Sequence, residues 1–170
     1  MRGDAGDAEV MLCSLSVGGQ MYGIDTRKIR EVLGIRVVQR IPLAPKYIAG
    51  AVSYRGEVLT TVSLRALLGL PAVVSETWVI VLDGDGKRQG NAEQFGLMVD
   101  AVGGVTMVSR DLLRENPPAL SDAYRGLCCG AFRTREGLLV ELDPEGLRPE
   151  RLAERMPGGL KKRVVDRGLG

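Results

Sequence analysis

Histidine is absent from this chain of 170 residues. Its absence removes Ser–His and Cys–His nucleophilic mechanisms, histidine general-base catalysis and the commonest zinc and iron ligand sets. Aromatic residues are also scarce, at 4% of the sequence, although hydrophobic residues together reach 45%. The chain therefore has enough apolar residues for a packed core, and we expect Val, Leu, Ile, Ala and Met to build it.

Cysteine is sparse, and the three present (Cys13, Cys128 and Cys129) are an odd number. Adjacent residues of a strand point to opposite faces, so a bridge between Cys128 and Cys129 is not expected. This usage predicts reduced thiols and a cytoplasmic protein. The polar segment from Met1 to Glu9 does not read as a signal peptide, and no apolar run approaches the roughly 18 residues of a membrane span. We expect no direct membrane insertion.

A strong excess of one charge is missing as well. The net charge is +2, and the 26% of charged residues include both signs interspersed along the chain. Nucleic-acid-binding domains usually concentrate basic residues on one face. We therefore expect no nucleic-acid partner.

The segment from Ile48 to Leu64 reads as strand, tight turn, strand, and the predicted fold is organised around it. Gly56 suits the turn because a residue without Cβ reaches positive φ at little cost. Arg55 is not easily buried, so we expect it at the hairpin apex, where its planar guanidinium would recognise carboxylates and carbonyls. The alternative interpretation is an ordinary solvated turn residue.

A short helix is predicted to begin at Asp25 or Thr26 and to end at Gly34. Its apolar residues have the i, i+3, i+4 spacing of one helix face. These residues are Ile29, Val32 and Leu33.

The remaining pattern indicates about eight to ten short strands with turn signals every 8 to 12 residues or so, which is typical of antiparallel barrels or a sandwich. The run from Thr77 to Leu82 is almost continuously apolar, so we expect a strand buried on both faces. Segments Cys128–Phe132 and Leu138–Leu142 are predicted to form the last hairpin. A C-terminal helix is predicted to start at Pro144 or Pro149.

Several short patterns partly match the signatures of chemical sites. The glycines of segment 84–90 are one residue off a dinucleotide fingerprint, and its aspartates lack the later oxygen ligands of a calcium loop. A nucleotide-binding protein using this loop remains an alternative of a different class. Asp100 is interpreted as a turn-former rather than a buried acceptor, and Glu141 and Asp143 as capping residues. We predict no enzyme activity, no cofactor and no metal.

Four blocks of the sequence resemble the CheW-like domain, the adaptor that couples chemoreceptors to the histidine kinase CheA in bacterial signalling arrays. Together they span roughly residues 10 to 155, and their order and spacing make the match specific. The blocks are Tyr22–Ile24 with Ile29–Leu33, Ile48–Val58 with Leu64–Gly69, Phe95–Val102, and Leu138–Asp143.

The resemblance implies a mostly β fold of two small five-stranded SH3-like β-barrels over a shared hydrophobic core, with a few short helices. It implies a CheW-like domain over residues 10–156 between flexible tails, 1–9 and 157–170. The implied partners are the regulatory domain of a CheA-type histidine kinase and the cytoplasmic tip of a chemoreceptor, so that the protein would associate with receptor arrays. The implied receptor-binding groove comprises Arg55, Ser53, Ile29, Glu31, Val32, Val99 and Val102.

The sequence departs from the family pattern at three positions near Arg55. Ser53 replaces the usual Asn, Thr60 replaces a common Pro, and Ser63 replaces an Asp that precedes the next helix. Asn braces a turn through its own backbone more strongly than Ser does. These departures keep open an alternative function, a divergent regulator of a motility pathway that binds the kinase but not a standard receptor.

Overall fold

The structure, a computed structural model, describes residues 9–34, 38–72, 77–83, 94–112 and 126–155. Within these ranges the chain forms ten strands, three short α-helices and two 3-10 turns at Thr26–Lys28 and Arg110–Leu112. The strands are β1 Glu9–Val17, β2 Gln20–Asp25, β3 Ile29–Gly34, β4 Ile48–Tyr54, β5 Glu57–Ser63, β6 Trp78–Leu82, β7 Phe95–Val99, β8 Ala101–Ser109, β9 Cys128–Thr134 and β10 Gly137–Leu142. The helices are α1 Leu64–Leu67, α2 Pro144–Leu147 and α3 Pro149–Arg155.

The strands form two five-stranded sheets. Sheet 1 has the order β8-β1-β2-β10-β9, and sheet 2 has the order β3-β6-β7-β5-β4. Each sheet contains one parallel pair, β2 with β10 and β5 with β7, and is otherwise antiparallel. The prediction of two five-stranded β units is confirmed. Closed barrels are a wrong detail of it, because in the described ranges no ladder joins β3 to β4 or β8 to β9.

Three apolar clusters explain how the sheets pack. The shared core lies between the two sheets and includes Leu15, Ile24, Ile80, Leu97 and Leu142. The sheet 1 core comprises Val10, Leu12, Val108, Phe132 and Leu139. The sheet 2 core comprises Leu33, Val52, Leu59, Val79 and Val81. Each smaller cluster draws residues from both edge strands of its sheet, so each sheet curls around a core of its own.

Strand β6 is buried on both faces, as its continuous apolar run predicted. Ile80 and Leu82 enter the shared core, whereas Val79 and Val81 enter the sheet 2 core. All four side chains are fully buried. The strand therefore separates the shared core from the sheet 2 core.

The predicted helix before Gly34 is wrong. Asp25 does cap a turn, since its Oδ1 accepts a hydrogen bond of 2.9 Å from the Arg27 amide, but that turn is a 3-10 turn of three residues followed by strand β3. A β-bulge at Arg30 shifts the register against β6, so that Ile29 pairs with Leu82 and Val32 with Ile80. Ile29 and Val32 therefore lie on the same face of the strand although they are three residues apart. This spacing is the one expected of a helix face, which explains the wrong prediction.

The predicted C-terminal helix is present as two short helices, which begin at Pro144 and at Pro149. Ser63 caps α1, its Oγ accepting a hydrogen bond of 3.1 Å from the Ala66 amide, so it retains the capping role of the usual Asp. Asp143 caps α2 through the Glu145 amide at 3.1 Å. Leu152 of α3 is fully buried. Before Pro42, Gln39 forms an isolated bridge with Ala51. The glycine-rich segment 84–90 lies outside the described residues.

Asp100 lies at a turn, as predicted, and also accepts hydrogen bonds, whereas the prediction for Glu141 is wrong. Asp100 lies at the bend between β7 and β8, and its Oδ2 accepts hydrogen bonds from Arg65 Nη1 at 2.6 Å and the Gly18 amide at 3.0 Å. It therefore joins the β1–β2 turn of sheet 1 to helix α1, which follows strand β5 of sheet 2. Glu141 is not a cap, because it is buried and accepts hydrogen bonds of 2.6 and 3.1 Å from Arg110.

Candidate partner-binding surfaces

Arg55 lies at the apex of the β4–β5 hairpin. Arg55 and Gly56 have φ values of 49° and 78°, the two positive values of a type I′ turn. Few residues other than Gly, Asn and Asp accept this conformation, so the turn holds an arginine where the backbone is strained. Its side chain is 73% exposed. The hairpin therefore presents a guanidinium to the surface on a short, rigid turn.

Glu31 holds that guanidinium in place. Arg55 Nη2 donates a hydrogen bond of 2.9 Å to Glu31 Oε1, and the Tyr54 hydroxyl donates one of 3.1 Å to the same oxygen. The guanidinium carbon lies 5.5 Å from the centre of the Tyr54 ring. The hydrogen bond to Glu31, and then the neighbouring Tyr54, raise the pKa of Arg55, which stays cationic.

A hollow of about 310 Å³ lies beside this group and is lined by Arg30, Tyr54, Arg55 and Gln94. Arg30 contributes a second guanidinium, which is paired with Asp83 at 2.8 Å. A carboxylate or carbonyl of a partner would find two guanidinium groups there. We call this set of residues, with Glu31, the arginine corner.

The predicted apolar groove residues do not join the arginine corner. The bulge at Arg30 turns Ile29 and Val32 toward the shared-core face of β3, whereas Glu31 faces the sheet 2 core. Ile29 is half-buried and packs against the shared core. The predicted site is thus divided between the two faces of one edge strand.

Of the other three predicted residues, Val99 and Val102 are in or against the shared core, whereas Ser53 lies near the hairpin apex. Val99 is only 2% exposed and belongs to the shared core, so it presents almost no surface. Val102 is half-buried and lies opposite Leu15 in the β1–β8 ladder. Ser53 is exposed near the hairpin apex, opposite Val58, which at 78% is the most exposed of the large hydrophobic residues described.

The structure reveals an apolar surface that the sequence reading did not identify. Met11, Val105 and Met107 are 48%, 55% and 60% exposed. Met11 lies opposite Met107, and Cys13 lies opposite Val105, on the β1–β8 face that carries Leu15 and Val102 into the shared core further along. We call Met11, Val105 and Met107 the apolar strip.

Val105 and Met107 lie on β8, an edge strand of sheet 1, after a register shift near Gly103 and Gly104, and Met11 lies on the neighbouring strand β1. The sequence feature that could have indicated this surface is the alternation of apolar residues after the two glycines, at Val105 and Met107. Exposed apolar patches of this kind are typical of protein interaction sites.

The thiols do not form a reactive centre. All three cysteines are free. Burial, with a smaller effect of Asp143, raises the pKa of Cys128 to about 11, and burial also raises the pKa of Cys13. Because the thiolate is the nucleophile, both thiols are poorly reactive at neutral pH. Among the described residues, no group of three or more Cys, Asp or Glu side chains is arranged to hold a metal ion.

Comparison with models of protein families identifies the family of this chain. The model of the CheW-like domain matches residues 12–151. The chain belongs to the CheW-like domain family. This confirms the resemblance seen in the four sequence blocks; the boundaries of the predicted tails remain predictions.

Curated relatives carry the same family name. The chain is 28% identical over 150 residues to the probable chemotaxis protein CheW of Rhizobium etli, which covers 88% of this chain and 92% of the relative. It is 31% identical over 134 residues to the chemotaxis protein CheW of Rhizobium meliloti, covering 78% and 84%. With the chemotaxis protein CheW of Treponema pallidum the identity is 24% over 137 residues, covering 81% of each.

A solved structure has the same fold. The scaffolding protein TtCheW from Thermoanaerobacter tengcongensis superimposes with a TM-score of 0.69 at 21% sequence identity, over 81% of this chain and 91% of that one. None of the helices in the described ranges has the length and apolar character of a membrane span.

Proposed function

We propose that this chain is a non-catalytic adaptor that couples the cytoplasmic tip of a chemoreceptor to the regulatory domain of a CheA-type histidine kinase. Membership of the CheW-like family over residues 12–151, with relatives named chemotaxis protein CheW, supports a role in chemosensory signalling. Such an adaptor acts by raising the local concentration of its partners and fixing their geometry. In the cell it would be found with membrane receptor arrays through these partners.

The observation that carries the receptor assignment is the arginine corner. The Arg55 guanidinium is exposed, yet its position is fixed by Glu31 at 2.9 Å. A preorganised donor loses little conformational freedom when a partner binds. Its planar fork suits a carboxylate or a pair of backbone carbonyls on the receptor tip.

The apolar part of the receptor surface would come from Ile29, Val32, Val102 and the apolar strip. All of these residues are turned to the shared-core side of their sheets, and each retains some exposed surface. Strand β3 is an edge strand, so an elongated partner lying along it has access to residues on both of its faces. The proposed receptor contact thus consists of a few apolar anchors and one charged anchor, which is usual for protein interfaces. Val99 would support this surface from beneath.

The absence of catalysis is part of the proposal. The chain contains no histidine, and the pKa values of Cys13 and Cys128 are raised rather than lowered. Activated nucleophiles need the opposite shift or a neighbouring base. The chemistry in the complex would then belong to the kinase.

A reconstitution tests the adaptor role. Receptor tips are displayed on vesicles, and the kinase is sedimented with them in the presence and absence of this protein. We expect kinase to sediment with the receptors only when the protein is added, and more so as its concentration rises to equivalence. Equal kinase recovery without the protein would contradict the proposal.

Ser53 favours a second candidate, the divergent regulator that binds the kinase but not a standard receptor. It is exposed two residues before Arg55, where the family usually has Asn. The same sedimentation assay separates the two functions. A divergent regulator would bind the kinase in solution and leave receptor vesicles without it.

A further inference from the structure

In the described ranges the chain crosses between the two sheets twice, and a strand of the proposed receptor contact follows each crossing. The 3-10 turn Thr26–Lys28 leads from β2 of sheet 1 into β3 of sheet 2, and Asp100 alone separates β7 of sheet 2 from β8 of sheet 1. Strand β8 carries Val102 and two of the three residues of the apolar strip. The position of β8 relative to sheet 2 therefore depends on how the chain is held at Asp100.

Asp100 is hydrogen-bonded to elements on both sides of this crossing. Its Oδ2 accepts a hydrogen bond of 3.0 Å from the Gly18 amide, in the β1–β2 turn of sheet 1, and one of 2.6 Å from Arg65 Nη1, in helix α1. The Asp100 amide donates a further hydrogen bond of 3.1 Å to the carbonyl of Ser16 in β1. One residue thus ties the β7–β8 bend to sheet 1 and to the helix that follows β5 of sheet 2.

The partners of Asp100 are themselves held in place. Arg65 Nε donates a hydrogen bond of 2.7 Å to the Pro71 carbonyl, and the side chains of Arg65 and Asp100 are only 19% and 26% exposed. A Cβ added to Gly18 would lie 2.5 Å from Leu70 Cδ1, so the β1–β2 turn packs directly on the segment after α1. Hydrogen bonds between charged groups are strong and geometrically specific.

These hydrogen bonds add a directional constraint to the packing of the sheets. The shared core holds the two sheets together by hydrophobic burial, which is non-directional. The hydrogen bonds of Asp100 depend on both distance and angle, and they act at the point where the chain enters β8. A shift of β8 against sheet 2 would break them.

We propose that Asp100 is a positioning residue for the receptor contact. By holding the β7–β8 bend between Gly18 and Arg65, it places Val102 and the apolar strip relative to Ile29 on sheet 2. This inference rests on the proposed function, and it gives Asp100 no contact with the receptor. A surface whose two halves are already in place loses less conformational freedom when a partner binds.

The test measures the separation of the two sheets and the receptor affinity of the same variants. Nitroxide labels on Val58→Cys in β5 and Arg133→Cys in β9, both at exposed positions, report the distance between the sheets by pulsed electron spin resonance. A Cys129→Ser background removes the exposed native thiol, and the other two thiols are poorly reactive. Calorimetry of the unlabelled proteins with a soluble receptor tip gives the affinity.

Two substitutions of Asp100 are compared with a matched control. Asp100→Ala removes both side-chain hydrogen bonds, whereas Asp100→Asn keeps an acceptor for the Gly18 amide and loses the charge that pairs with Arg65. The control is Glu145→Ala, which removes the carboxylate of another partly exposed ion pair, with Arg148 at the end of helix α2. Thermal melts define a temperature at which the variants are folded. If Asp100→Ala does not fold, the same two measurements on Asp100→Asn decide.

We expect Asp100→Ala to broaden the distribution of distances between the sheets and to weaken receptor binding about tenfold, with Asp100→Asn between it and the wild type. The control should keep the wild-type distribution and an affinity within about twofold of wild type. Wild-type receptor affinity of folded Asp100→Ala would overturn the inference and leave the adaptor function standing.

Two further outcomes would overturn the inference. Weakened binding with an unchanged distance distribution would show that Asp100 touches the receptor itself. Failure of the unmodified protein to bind the receptor tip would overturn the proposed receptor contact together with this inference.

Discussion

Arg55 and Glu31 join the two edges of sheet 2. Glu31 belongs to edge strand β3, and Arg55 follows edge strand β4, which lies at the other end of the strand order, yet the two side chains are 2.9 Å apart. The sheet curls until its edges approach, and this ion pair crosses the remaining gap together with the hydrogen bond from Tyr54. The same contact thus spans the gap between the two edges and fixes the position of the proposed receptor anchor.

The first prediction concerns Arg55 itself. Arg55→Ala should weaken receptor binding by roughly 1 to 3 kcal/mol, as expected for an interface anchor, and leave the fold intact because the side chain is largely exposed. Arg55→Lys should recover only part of this loss, since an ammonium lacks the planar fork. Calorimetry with the receptor tip measures both, and wild-type affinity for a folded Arg55→Ala protein would count against the site.

A double-mutant cycle with Glu31 then separates binding from positioning. If Glu31 acts by holding the guanidinium, Glu31→Gln should weaken receptor binding in the wild type but not in an Arg55→Ala background. Equal effects in both backgrounds would show that Glu31 touches the receptor independently of Arg55.

The second prediction concerns the apolar strip. Met107→Asp places a charge on a residue that is 60% exposed, so it should reduce receptor affinity without lowering stability by more than about 0.5 kcal/mol. Ile29→Asp should also reduce affinity, but Ile29 packs on the shared core and its loss should lower stability as well. Leu138→Asp, on the opposite edge region of sheet 1, is the matched control. Receptor binding unchanged by Met107→Asp would remove the strip from the site.

The hairpin and the central strand were predictable because their signals are local. Gly56 marks the turn, and the apolar run of β6 is long enough to indicate burial on both faces. Strand β3 was predicted as a helix because the bulge at Arg30 depends on pairing with β6, which no local pattern shows. The apolar strip was missed for a related reason, since the exposure of Met107 depends on β8 being an edge strand.

The predicted site residues also divide into those that local sequence could place and those whose position depends on strand pairing. The exposure of Arg55 could be predicted from its own chemistry. The burial of Val99 and the separation of Ile29 from Glu31 depend on which strands pair and on a one-residue change of register. A register shift moves side chains to the other face, so spacing alone could not place these residues in one groove.

The third prediction concerns the ion pair between the buried Glu141 of sheet 1 and the partly exposed Arg110 of the turn after β8. Glu141 is 3% exposed at its side chain and receives two hydrogen bonds from Arg110. Arg110→Ala would leave a buried carboxylate without its partner, which typically costs about 3 kcal/mol or more. Urea unfolding should show this loss, whereas Arg133→Ala, an exposed arginine of the same sheet, should change stability by less than about 0.5 kcal/mol. A loss below about 1 kcal/mol in Arg110→Ala would show that the pair is dispensable.

The fourth prediction is a pH dependence that comes from Asp25. Hydrogen bonding to Arg27 holds the pKa of this carboxyl below its ordinary value of 3.8, even though burial opposes the shift. A lowered pKa means that the unfolded chain binds a proton more readily, so this contribution to stability is present above about pH 4 and is lost as the pH falls through the folded-state pKa. Asp25→Asn should be less stable than wild type at pH 7, and the difference should shrink in acid. A difference that is constant from pH 7 to pH 3 would contradict this account.

The last prediction concerns Gly50, where the backbone itself leaves no room for a side chain. Its φ is 148°, and a Cβ at this position would collide with the backbone carbonyl of Gln39. That carbonyl accepts a hydrogen bond of 2.7 Å from the Ala51 amide, and the Gln39 amide donates one of 2.9 Å to the Ala51 carbonyl. Gly50→Ala must therefore either break this bridge or displace β4, and it should lower the free energy of unfolding by about 2 kcal/mol or more. Gly56→Ala is the control, because positive φ is strained there too but a Cβ would meet no atom within 4 Å. Because Arg55 directly follows β4, a displaced β4 should also weaken receptor binding. Wild-type stability of Gly50→Ala would show that the segment around Gln39 can move aside freely.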